Sequence, residues 1–410
     1  MNPHSALALV IFALTYSVIA AGKLPFLHID RTGAALAGAV AMVAAGVVSE
    51  RGALEAVDFH TLALLLGMMI VVANLRLSGA FQLFAHAMLG RARSGYGLLA
   101  MTVAASGVLA AFFINDVVCL ALTPLLIDAT ESVGAEPAPF LLALATASNI
   151  GSAATITGNP QNMIVAGFAH LGYTSFALHV APSAILGLAI DFAILAIVYR
   201  GSLGKLHRRP GSETRAPVPA NRFLMIKSSV AAIAALCLFL AGFPTELVAM
   251  GAGVVLLFTR KIEPARVYEL IDWTMLAMFT GLFIVIAGFQ TTGIQNDIIR
   301  WSGDGALANP LTLSAITALL SNLVSNVPAV LLFRPLFPLL GGTRQVALVI
   351  ASASTMAGNL TVVGSIANLI VIEQARARGI KITFGGYLRV GLPIGILTLL
   401  VNAAVLSVRF

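Results

Sequence analysis

Charge is what this chain has least of. Only 10% of its 410 residues are Asp, Glu, Lys or Arg, against 59% hydrophobic and a mean hydropathy of +0.96. A soluble domain carries about a quarter charged residues, so a water-soluble fold is excluded and an all-α polytopic membrane protein is indicated. Cysteine is scarce as well. Cys119 and Cys237 both sit inside apolar runs, which leaves neither a disulfide framework nor a metal-spaced pair. HExxH, GxSxG, CxxC and GxxxxGK[ST] patterns are missing, and with them the expectation of an enzyme, a tightly held cofactor or a nucleotide-driven pump. A basic stripe is missing too. The formal net charge of +7 comes from Lys and Arg scattered over short loops, so nucleic acid is not an expected partner. The first stretch, MNPHSALALVIFALTYSVIAAG, lacks the basic start and cleavage pattern of a signal peptide and reads as the first span.

What the chain has in abundance is apolar runs. Those near 5-22, 33-48, 59-76, 177-199, 224-241, 245-260, 273-290 and 388-408 suit crossing ~30 Å of hydrocarbon at about 20 residues per helix. The basic, Pro- and Gly-rich stretch 200-222 separates a first repeat, 1-199, from a second, 223-410. The halves match along their length. Val57–Gly79 aligns with Ile271–Gly293, sharing Asp58/Asp272, Gly67/Gly281 and Gly79/Gly293, and 114–125 aligns with 325–336 through Asn115/Asn326 and Pro124/Pro335. Pro182 and Leu186 recur as Pro393 and Leu397.

The strongest internal match is ATASNIGSAATITGNPQNMIV (145-165) with ASASTMAGNLTVVGSIANLIV (351-371), at an offset of 206. Each copy is apolar at its ends and polar in the middle. Pro160 removes a backbone donor and clashes with the preceding turn, which predicts a broken helix over 141-170 and another over 345-372. The second copy has no proline, so its break is expected to be gentler. Unwound backbone inside a membrane is tolerated only against protein or a water-filled cavity, so both breaks read as a binding site.

Ahead of each broken helix lies a segment too short to cross twice. Residues 97-128, with a polar tip at Ile114-Asn115-Asp116, and 307-341, with a tip at Ser325-Asn326, read as re-entrant hairpins. Only about ten apolar residues separate the first tip from Asp128, too few for a crossing. Five crossings and one hairpin per half oblige the second copy to insert upside down. With the 200-222 linker in the cytoplasm, nineteen Lys and Arg fall inside and four outside, a strong positive-inside bias. Both termini then lie outside the inner membrane.

Hairpin return arms and resumed half-helices all begin within the bilayer, so four helix N-termini with unpaired N–H groups face one midplane region. Such ends suit an anion, while carbonyls and Asn or Thr oxygens suit a small cation. The candidate ligands are Asn115, Asp116, Ser148, Asn149, Thr155, Thr157, Gly158, Asn159 and Asn162, and in the second half Ser325, Asn326, Ser354, Thr355, Thr361, Gly364 and Asn368. Taken singly, each asparagine also suits a helix cap. Asp116 and Asp191 are the ionisable residues deepest in the spans, where an ionised Asp costs about 2.5–3.5 kcal/mol. Their repeat counterparts are Val327 and Asn402, and both acids are coupling candidates, with sodium, if used, expected at Asn115 and Asp116. Arg334 is expected to snorkel to the outer interface, and Cys119 to pack.

The SNIG…T…TGNPQN run, the IND tip followed by Pro124, and SNVPA in the second half resemble the ion-transporter superfamily of arsenite permeases, NhaD-type sodium/proton antiporters and divalent-anion/sodium symporters. The Asn-Asp tip is similar to the arsenite permease and antiporter branch. The resemblance implies a transport domain of hairpins and broken helices, a scaffold that commonly dimerises, and elevator-like alternating access. The function expected is secondary active transport of a small anion or oxyacid, coupled to protons or sodium. A sodium/proton antiporter is the rival, with a channel or membrane-embedded enzyme more remote.

Overall fold

The computed structural model describes residues 3–24, 27–83, 94–204, 221–302 and 309–409, so most of the 200-222 linker lies outside the described residues. The chain is an all-α polytopic membrane protein of two inverted repeats. The first repeat runs through α1 (Pro3–Ala21), a two-stranded ribbon of β1 (Lys23–Leu24) and β2 (Leu27–Asp30), α2 (Arg31–Ala44), α3 (Glu50–Ala56) and α4 (Phe59–Leu77). A hairpin of α5 (Gly95–Phe112) and α6 (Asn115–Ser132) follows, then a broken helix of α7 (Pro137–Ser152) and α8 (Pro160–Phe168), and α9 (Tyr173–Val198). The second repeat retraces this order: α10 (Arg222–Leu240), α11 (Thr245–Leu257), α12 (Pro264–Tyr268), α13 (Trp273–Gln290) and a surface helix α14 (Ile294–Ser302). Its hairpin is α15 (Pro310–Val324) with α16 (Asn326–Phe333), and its broken helix α17 (Arg344–Met356) with α18 (Ile366–Ala377) precedes α19 (Phe384–Val408).

Local chemistry sets these boundaries. Asp58 and Asp272, matched in the sequence, are matched caps: Asp58 accepts from the Thr61 N–H and Asp272 from the Met275 N–H, satisfying a donor that each helix start would leave bare. The second span ends at Ala44, short of 48, because the chain turns at Gly46 with φ +67°, a conformation glycine adopts without strain. Among the described residues seven helices are long and apolar enough to cross a membrane, and one of these, α5, is a hairpin arm.

Packing follows the same symmetry. At Gly67 on α4 a Cβ would lie 2.4 Å from the Ala249 backbone of α11, and at Gly281 on α13 it would lie 2.7 Å from Ala35 on α2. Lipid gives helices no hydrophobic reason to associate, so close backbone approach over small residues supplies the contact.

Two expectations need correcting. The first return arm does not stop at Asp128 but runs 18 residues to Ser132, with Asp128 held at its base by Arg378 at 2.8 Å. The second break is not gentler. It spans nine residues, 357–365, through two 3-10 turns, against seven residues, 153–159, in the first. Side chains rather than proline hold it open.

Candidate functional site

Where each helix breaks, an asparagine one turn into the resumed helix reaches back and clamps the unwound backbone. Asn162 Nδ2 donates to the carbonyls of Ser152 (2.9 Å) and Thr155 (2.8 Å). Asn368 Nδ2, its repeat counterpart, donates to Gly358 O (2.7 Å) and Thr361 O (3.2 Å). Each clamp satisfies carbonyls that the break would strand in a region without water. Neither residue is the cap of its helix. Asn159 and Ser365 fill that role, accepting from the N–H groups of Asn162 and Ala367.

The clamps are then joined across the repeats. Asn149 Nδ2, near the end of α7, donates to Asn368 Oδ1 (3.0 Å) and Asn359 Oδ1 (2.9 Å), and its own Oδ1 accepts from Ser365 Oγ (2.9 Å) and Asn115 Nδ2 (3.0 Å). At the symmetric position Thr355 Oγ1 donates to Asn162 Oδ1 (3.1 Å) and accepts from Asn159 Nδ2 (3.0 Å). The two breaks therefore form one buried polar layer. The hairpin tips enter it directly. Asn326, with its Nδ2 toward the carbonyls of Ser354 and Gly364, accepts from Gln161 Nε2 at 3.2 Å. Half-buried Asp116 lies beside the first turn of α18, near Ala367, a favourable place for a carboxylate at a helix N-terminus.

Hairpin and break are tied on both sides as well. The Thr155 hydroxyl donates to Ala111 O, and the Thr361 hydroxyl donates to Asn322 Oδ1 at 2.9 Å. Thr157 Oγ1 lies 2.9 Å from the Tyr173 hydroxyl. Gly158 and Gly364 sit in the turns themselves.

Other candidates stand apart from this layer. Ser148 and Ser354 turn back on their own helices, donating to Ala145 O and Ala351 O. Buried Cys119 packs its Sγ 3.1 Å from Ser148 Oγ. Asp191 is buried on α9, behind the second break. Ser325 forms the second tip with φ +76° and ψ 159°, a region that is essentially glycine's own and costs about 1–3 kcal/mol. Arg334 reaches to the junction of α3 and α4: its Nη1 donates to Ala56 O (3.2 Å), its guanidinium lies over the Phe283 ring (5.5 Å), and it lines a crevice of about 840 Å³ with Asp58, His60 and Glu246.

Sequence symmetry overlooked Asn359, Asn322 and Tyr387, whose counterparts are Ala153, Ala111 and Phe176. Their signal was the polar group itself inside an apolar span. Arg378, just past the C-terminal end of α18, is pushed further above its ordinary basic range by the Asp128 carboxylate. Both partners are well exposed, so the pair is worth at most about 1 kcal/mol.

Comparison with known proteins places this geometry. The citrate transporter family, CitMHS, matches residues 7–342. The silicon efflux transporter LSI3 of Oryza sativa subsp. japonica is 29% identical over 95% of each chain. A 46 kDa membrane protein of Mycobacterium leprae is 28% identical over 99% of each chain. The crystal structure of the Alcanivorax borkumensis YdaH transporter shares the fold with a TM-score of 0.63 over 99% of this chain and 98% of that one, at 16% identity.

Proposed function

Because this chain belongs to the citrate transporter family, and is a membrane transporter rather than an enzyme, we propose that it carries a small oxyacid or anion by alternating access, driven by protons or sodium. One observation carries the reading. The N-terminus of α18 begins inside the membrane beside a hairpin-tip carboxylate, Asp116, with the flanking residues Val363 and Ile366 open to the outside of the chain. Backbone N–H groups there suit the oxygens of a cargo, and Asp116 suits a proton or sodium.

The ligands of this layer also bear on the cargo. They are amides and hydroxyls, and Arg334 lies off in its own crevice. A multiply charged carboxylate buried here would lack the cations that burial of such charge requires. A neutral or weakly acidic hydroxy-acid of a metalloid needs only donors and acceptors, which fits a relative named for silicon efflux. The charge distribution of the sequence supports a cytoplasmic linker, and Asp272, on the scaffold end that faces that side, lies within electrostatic reach of Asp116. The open side is then the inward one. A homodimer through scaffold helices belongs to the same reading.

Purified protein in vesicles tests it. Saturable uptake of silicic or arsenous acid, driven by a pH or sodium gradient and not reproduced with citrate, is the expected result. Sodium-driven acidification with no uptake would replace it by an antiporter, and uncoupled voltage-driven flux by a channel.

A further inference from the structure

Helices α9 and α19 pack against each other as repeat counterparts, and the polar groups they carry at matching positions differ. On the second-repeat side Asn402 Nδ2 donates to Ser352 Oγ (2.8 Å), which donates to Leu348 O (2.6 Å) in its own helix. On the first-repeat side Asp191 replaces Asn402 and Thr146 replaces Ser352. Thr146 lies beside Asp191, and its hydroxyl gives its hydrogen to Leu142 O at 2.8 Å, which leaves its lone pairs as acceptors for a protonated carboxyl. An ionised carboxylate has acceptors and no donor. Asp191 is fully buried, and among the described residues neither of its oxygens has a donor. The help Asn402 receives from Ser183 Oγ (2.8 Å) has no equivalent, because the matching position is Ile394.

We propose that Asp191 is a proton-binding site of the transporter, required for coupling together with Asp116 and holding its proton toward Thr146 as Asn402 holds its amide hydrogen toward Ser352. The second repeat thus carries a permanently protonated copy of a position that the first repeat can load and unload. The proton passes between the carboxyl oxygen and water, with no other bond changed. Its neighbourhood connects it to the cargo layer. Thr146 O accepts from Asn359 Nδ2 (3.1 Å). Tyr387 of α19, the titratable group facing Asp191, donates to Asn359 O (3.2 Å) and accepts from Asn368 (2.8 Å). No charged side chain on the helices packed against α9 faces the carboxyl among the described residues. A change at the second break therefore reaches the acid through one intervening residue. The inference rests on the transporter reading above and adds the identity of its coupling ion.

The test uses the full chain in vesicles and in infrared difference spectra recorded between acid and alkaline buffer. One pH unit across the membrane supports about tenfold accumulation per coupled proton. Asp191→Asn should bring that ratio to about unity and remove the carbonyl band of a protonated carboxyl, while Asp191→Glu should keep both and shift the band. A band unchanged in Asp191→Asn, or accumulation retained by it, overturns the assignment. Loss of the band in a protein that moves no oxyacid would sink the transporter reading and leave the proton site standing.

Discussion

Between Ser152 and Pro160 the first broken helix has no open residue, whereas between Met356 and Ile366 the second exposes Val363 and leaves Thr361 half-buried. Both breaks carry the same asparagine clamp with nearly the same distances. The clamp therefore fixes backbone geometry whatever surrounds it, and access depends on what lies over the break. Over the first, Gln161 reaches Asn326 and Tyr173 reaches Thr157. Over the second, the carboxylate of Asp116 lies beside the start of α18. Inverted repeats exchange such roles between their two end states, so the sealed break here is the one expected to open in the other state.

Substitutions at matched positions break the comparison where it is strongest. At Gly158 a Cβ would lie 2.1 Å from Ser152 O, a backbone atom, while at Gly364 the first obstacle is the Asn322 side chain at 2.7 Å. Gly158→Ala is expected to abolish folded protein on size-exclusion chromatography. Gly364→Ala should cost about 1–3 kcal/mol and lower the midpoint of thermal unfolding by a few degrees.

Next come the cross-repeat bonds. Asn149→Ala strips a partner from Asn115, Ser365, Asn359 and Asn368, and each stranded group costs about 1–3 kcal/mol. Thr355→Ala strips fewer, since Asn159 keeps Ser152 Oγ at 2.9 Å. Thermal unfolding should show the larger loss for Asn149→Ala. Equal losses would mean that the two junctions share load evenly.

Asp116→Asn keeps the size of the half-buried side chain and one acceptor oxygen, so stability should be nearly unchanged. Gradient-driven uptake should collapse while part of the substrate exchange survives. Wild-type accumulation across pH 6 to 8 would reduce Asp116 to a cap.

The smallest effect is at the second tip, where Ser325 has φ +76° and Phe113 and Ile114 of the first tip have negative φ. Ser325→Gly relieves about 1–3 kcal/mol of backbone strain and loses roughly 1 kcal/mol to the freer unfolded chain. A rise of a degree or two in unfolding temperature is expected. A fall would show that the Ser325 side chain has a partner in another state.

Much of this is legible in the sequence. Hydropathy runs and the offset of 206 between the breaks reveal an inverted repeat, because lipid permits so few ways to hide a backbone. Asn162 and Asn368 could be singled out, since an amide in an apolar span must find partners. What they bond to could not. Asn149 pairs with Asn359 and Asn368, more than 200 positions away, and symmetry hides Asn359 because its mate is Ala153. The second break is no gentler despite its lack of proline: proline is a visible breaker, while a clamp of one amide on two carbonyls leaves no mark in composition.

The cross-repeat junctions also constrain how the protein is made. When α7 and α8 leave the ribosome, Thr355, Asn359 and Asn368 have not been translated, so Asn149 and Asn162 enter the bilayer without the partners they hold at the end. The first break can finish folding only after the last third of the chain is synthesised. Until then it must borrow water or a membrane insertase for its polar groups.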